Sequence, residues 1–73
     1  MTLTQLKYAI TVAECDSMNE AAKELFISQP SLSSSIKDLE TETGIQIFRR
    51  TNRGISLTPQ GEEFLGYARQ VVE

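Results

Sequence analysis

Residues 28–40 read SQPSLSSSIKDLE, and five of the first eight are serine. Serines beside a proline suggest a loose connector, yet Leu32, Ile36 and Leu39 recur at i, i+4 and i+7, the spacing of one helix face. Ser28 can cap such a helix, and Pro30 falls in its first turn, where a missing amide hydrogen costs nothing. Gly44 supplies the left-handed conformation that commonly ends a helix. The run is therefore expected to be helical to about Thr43, with Pro30, Ser31, Ser33, Ser34 and Lys37 on the surface away from the apolar stripe.

Upstream, Leu6, Ile10 and Ala13 are in helical register, widened by Tyr8, Ala9 and Val12, and Thr4 is a plausible cap for a helix over about 4–14. Ser17 and Glu20 match the S-x-x-E capping box and start a second helix over about 18–25. Its apolar residues are Ala21, Ala22, Leu25 and Phe26, and the two alanines allow close approach of another helix. A short turn, FISQ, leads into the third helix. Downstream, IQIFRR and ISL read as two short strands joined by TNRG, in which Asn52 and Gly54 tolerate positive φ. Thr58 and Pro59 repeat the cap-plus-proline signal, with Glu62 and Glu63 in the first turn of a fourth helix. That helix is expected to run to Glu73 without a stop signal, as if the chain were cut rather than finished.

A 73-residue chain holds one small domain, with a core that is marginal without a staple or partner. The single cysteine, Cys15, excludes an internal disulfide, and the absence of histidine removes a zinc set and a general base near neutral pH. A reducing cytoplasm is expected, with no metal and no cofactor. No uncharged run reaches the roughly 18 residues that span a membrane. Ser34 to Lys37 match S-x-x-K, but the S-D-N and K-T-G elements that accompany that nucleophile are missing, so an enzyme is not expected.

The net charge is −3, which alone argues against a nucleic-acid partner. The distribution reverses the argument. Residues 25–37 and 43–61 lack Asp and Glu but carry Lys37, Arg49, Arg50 and Arg53. If they share one face, that face attracts phosphate although the molecule is anionic. Two helices joined by a short turn and followed by a hairpin are the parts of a helix-turn-helix with a wing. In that arrangement Gln29, Pro30, Ser31, Ser33, Ser34 and Lys37 meet the major groove, and a wing bearing Arg50 and Arg53 suits a narrow minor groove. The fold class expected is mainly α: three helices and a two-stranded wing over 1–58, the helix-turn-helix at about 18–37, then a linker helix over 59–73.

The stretches AAKELFISQPSLSSSIKDLE and TGIQIFRRTNRGISLTPQG carry a resemblance to the N-terminal DNA-binding domain of the LysR-type transcriptional regulators, a bacterial family. Ala21, Ala22, Leu25, Ser28 to Pro30, Leu32, Ser33, Ile36, Leu39, Glu40, Gly44, Phe48, Arg50, Arg53, Leu57, Thr58 and Gly61 stand where that pattern has them. The resemblance implies a winged helix-turn-helix, a linker helix that pairs with its copy, and a missing C-terminal effector-sensing domain, through which alone a small molecule would act. The chain departs from the family at Ser34 and Ser35, where Arg or another long polar residue is frequent, so base preference is expected to differ. Arg49 falls at a variable position, with a phosphate contact and a solvated charge both open.

On the fourth helix Phe64, Ala68 and Val71 form one stripe and Leu65 and Val72 a neighbouring one, more apolar surface than one face of a small domain needs. A homodimer through these residues is expected, with Leu65 and Ala68 alternatively sealing the first helix; higher oligomers remain open for a longer chain. Two-fold pairing implies duplex DNA with an interrupted palindrome, half-sites about one helical turn apart. The competing expectation is a winged-helix module that binds another protein through its acidic faces and never touches DNA.

Overall fold

The computed structural model describes residues 1–72; Glu73, to which the fourth helix is expected to run, lies outside the described residues. The elements are α1 (Leu3–Cys15), α2 (Met18–Leu25), α3 (Gln29–Thr43), β1 (Phe48–Thr51), β2 (Gly54–Leu57) and α4 (Pro59–Val72). β1 and β2 pair antiparallel in the register Phe48 to Leu57 through Thr51 to Gly54, forming a wing after a helix-turn-helix.

Every helix start carries a hydroxyl cap. Ser17, Ser28 and Thr58 accept from the backbone N–H groups of Glu20, Ser31 and Gly61. α1 differs from expectation: Thr2, not Thr4, is its cap, and Thr2 and Gln5 form a reciprocal capping box that fixes the start at Leu3. At α2 only half of the expected box forms, and the Glu20 carboxylate instead lies 3.8 Å from Lys23 Nζ.

α1 packs against α2, α3 and α4. The core joins Leu6, Ala9 and Val12 of α1, Ala21 and Ala22 of α2, Leu32, Ile36 and Leu39 of α3, Ile47 and Phe48, and Leu65 and Ala68 of α4. Burying each of the larger aliphatic side chains stabilises the fold by roughly 1.5–3 kcal/mol. α4 therefore closes the bottom of the core as much as it extends the chain.

Two local expectations are corrected. Phe26 does not join the apolar face of α2: it is the left-handed residue after that helix, at φ 59°, and is 93 % exposed. The Ile27 amide bonds back to the Ala22 carbonyl and Ile27 packs on the core, so the chain turns under Phe26 and throws its ring outward. The strand expected from Ile45 begins only at Phe48. Ile47 is fully buried, but its amide goes to Glu40 and its carbonyl to Thr58, leaving neither for a ladder. In the wing turn, Gly54 alone takes positive φ and Asn52 does not.

Among the described residues no helix is long and apolar enough to cross a membrane.

Candidate nucleic-acid interface

The α3 surface that carries the serines is built by its first turn. Pro30 has no amide hydrogen and the Ser31 amide is taken by Ser28 Oγ at 3.2 Å, which leaves the Gln29 amide as the open donor at the positive end of the helix dipole. Pro30, Ser31, Ser34 and Lys37 are exposed, whereas Gln29 and Ser33 are half-buried. Leu32, Ile36 and Leu39 hold the opposite side in the core.

The wing stands beside this surface. Arg50 Nη2 donates to Ser33 Oγ at 2.5 Å, and the cleft between α3 and β1, about 450 Å³, is lined by Ser33, Ile36, Lys37, Glu40, Gln46, Phe48 and Arg50. The two acid-free segments thus share one face here. The wing's placement rests on three ties. Glu40 Oε2 accepts from the amides of Ile47 at 2.7 Å and Phe48 at 3.1 Å. The Thr58 hydroxyl donates to the Gln46 carbonyl, and the Ile55 amide reaches the Asp16 carbonyl at the end of α1 at 3.4 Å.

Arg53 occupies the wing tip, braced by its amide bonding to Thr51 Oγ1 at 3.2 Å, and its side chain is exposed. Arg50 sits one register step inside the tip, opposite Ile55, and is turned toward α3. Because strand side chains alternate, Arg49 lies on the ribbon face opposite Phe48 and Arg50, away from α3. In the sequence Glu40 stands out only as a residue of the family pattern; its inward role as amide acceptor has no signal in the spacing.

The stripe expected for dimerisation divides. Leu65 and Ala68, 1 % and 3 % exposed, are taken by the core of their own chain, where α4 crosses α1. Phe64 and Val72 are half-buried against that core, whereas Val71 and Tyr67 are each 64 % exposed. The apolar face open to a second copy is thus Tyr67 and Val71 flanked by Phe64 and Val72.

At the end of α1 Cys15 Sγ donates to Glu24 Oε2 at 3.0 Å. This bond, with partial burial and the nearby charges of Glu24, Glu14 and Glu20, pushes the thiol up to about 11. It is a protonated, weakly reactive group.

The model of the bacterial regulatory helix-turn-helix protein, lysR family, matches residues 3–62. The chain belongs to the LysR family. A curated relative of this LysR-family chain, the HTH-type transcriptional regulator TcbR of Pseudomonas sp. (strain P51), is 44 % identical over 73 residues, all of this chain and 25 % of the relative. The regulator BudR of Klebsiella aerogenes is 50 % identical over 64 residues, 88 % of this chain and 45 % of the relative. The chain spans 25 %, 32 % and 24 % of TcbR, TfdT and ClcR, about a quarter to a third of each. Among solved structures, the CbnR_DBD–DNA complex matches with a TM-score of 0.95 and 43 % identity, covering 99 % of this chain and 83 % of that one. The BenM_DBD/catB site 1 DNA complex matches at 0.94 and 42 %, covering 99 % and 81 %.

Proposed function

We propose that the chain is the DNA-binding domain of a bacterial transcriptional regulator, reading duplex DNA with the N-terminal half of α3 in the major groove and the wing in the adjacent minor groove. The observation that carries this reading is the joining of two acid-free segments, the serine face of α3 and the arginine-bearing wing, into one face on a chain of net charge −3. The likeness to CbnR and BenM domains solved with DNA supports it. Gln29, Ser31, Ser33 and Ser34 supply hydrogen-bonding groups short enough for close approach, Lys37 meets phosphate, and Arg53 enters the minor groove. The chain so described binds DNA and catalyses nothing, and it works in the cytoplasm.

A second copy docks on Tyr67 and Val71 of α4, with Phe64 and Val72 at the rim, so that two recognition helices reach successive major grooves of an interrupted palindrome. An effector-sensing portion, which the family resemblance implies, belongs to sequence beyond these residues. A mobility-shift titration tests the core of the proposal: Ser33→Glu and Arg53→Ala each weaken binding. Unchanged binding by both refutes the groove-and-wing reading, and no binding by the wild-type chain favours a protein-binding module instead.

A further inference from the structure

The hydrogen bond between Arg50 and Ser33 joins residues 17 apart in sequence and ties the wing to the recognition helix through a group that faces the groove. A serine hydroxyl has one hydrogen to give and two lone pairs; a guanidinium gives hydrogens and accepts none. With Arg50 Nη2 donating into one lone pair, the Ser33 hydrogen cannot point back at the guanidinium, and the positive charge turns it outward. We propose that Arg50 is a positioning residue that fixes the Ser33 hydroxyl as a hydrogen-bond donor toward the major groove, so that α3 selects, at that step, a base edge carrying an acceptor. The proposal rests on the DNA-binding reading above.

Two further observations support this assignment. Glu40, the carboxylate lining the same cleft, spends Oε2 on the Ile47 and Phe48 amides, and neither ion pair among the described residues involves Arg50. The guanidinium is thus free of a competing anion and holds the serine instead. Ser33 is half-buried beside Ser34, which is exposed, so Ser33 has the more restricted approach to the groove. In the major groove, guanine offers N7 and O6, thymine O4 and adenine N7, whereas cytosine presents an amino donor that leaves the outward hydroxyl hydrogen unpaired, reaches only the one remaining lone pair and meets the positive charge behind it. Ser33 therefore discriminates against cytosine. Phosphate oxygens share the acceptor chemistry, and a change of base profile separates the two.

Selection of bound sequences from a random duplex pool by the 73-residue chain, alongside R50Q, S33A, the double variant and Ser33→Thr, tests this. Wild type is expected to disfavour cytosine at one position of each half-site by roughly tenfold. R50Q and S33A each flatten that position to the same level, the double variant flattens it no further, and Ser33→Thr retains the preference. Uniform weakening by R50Q across all sequences, with the profile intact and the salt slope reduced by about one, makes Arg50 an ordinary phosphate contact and overturns the proposal. An intact profile in S33A overturns it as well, placing the hydroxyl on phosphate. Both results leave the DNA-binding reading standing; failure of wild type to enrich any sequence refutes that reading itself. Arg50 is exposed, so circular dichroism of R50Q is expected to match wild type.

Discussion

Alanine at Gly61 and at Gly66, five residues apart on α4, is expected to change stability in opposite directions. Helix propensity alone favours both changes by about 1 kcal/mol. At Gly66 nothing lies within 4 Å of the added Cβ, so the full gain is realised. At Gly61 the Cβ would stand 2.1 Å from the Ile47 carbonyl oxygen and 2.8 Å from its carbon, both backbone atoms that no rotamer change can move. Relief requires the start of α4 to retreat by more than an ångström, which breaks the Thr58 amide bond to the Ile47 carbonyl at 3.0 Å and the Thr58 hydroxyl bond to the Gln46 carbonyl. Overpacking costs about 2 kcal/mol and the lost hydrogen bonds about 1 kcal/mol, against a propensity gain of about 1, so Gly61→Ala should lose about 2 kcal/mol. Urea unfolding followed by circular dichroism measures both. For a domain of this size, Gly66→Ala should raise Tm by roughly 5 °C and Gly61→Ala lower it by about 10 °C. A Gly61→Ala protein as stable as wild type would refute the close approach of α4 to Ile47.

Phe26→Asn should stabilise the fold by about 1 kcal/mol in the same assay, because a residue suited to the left-handed region replaces a ring that packs on nothing. Glu40→Ala should cost about 2 kcal/mol, since two backbone amides lose a charged acceptor, and should also loosen the wing, read as faster amide exchange at Ile47 and Phe48. Alkylation of Cys15 by iodoacetamide should stay slow at pH 8 and rise with a midpoint near 11, while Glu24→Gln brings the midpoint down. Because the folded thiol holds its proton more tightly than the unfolded one, its contribution to stability is complete below about 9 and is lost as pH rises toward about 11; no destabilisation from it is expected on the acid side. Arg53→Ala should weaken binding to all duplex sequences and shrink a salt slope of roughly −6 for the dimer by about two.

What could be read from the chain was what a local pattern encodes. Leu32, Ile36 and Leu39 announced the buried face of α3, and Ser28 with Pro30 and Thr58 with Pro59 announced two helix starts. The errors came where one residue type serves two structures. Thr2 and Thr4 are both plausible caps, and only the pairing of Gln5 with Thr2 decides between them. Ile45 and Ile47 alternate like a strand, yet their segment is claimed by Glu40 and Thr58 from outside the ladder. Phe26 continues the apolar pattern of α2, but the need to bring Ile27 down onto the core turns the backbone and ejects the ring. Leu65 and Ala68 illustrate the ambiguity of a broad apolar helix: composition cannot apportion it between own core and partner, and the crossing with α1 does. The Arg50 to Ser33 bond joins two elements by a contact with no periodicity to betray it.

The hydroxyl caps at Thr2, Ser17, Ser28 and Thr58 have a bearing on how this molecule is measured. None carries a charge, so counterions do not screen the caps themselves, and the ion pairs among the described residues lie on the surface, where their worth is small. Raising the salt concentration should leave the fold almost where it was while stripping phosphate contacts from the basic face. The scaffold thus behaves as a fixed frame, and a salt titration of affinity reports on the interface with little admixture of unfolding.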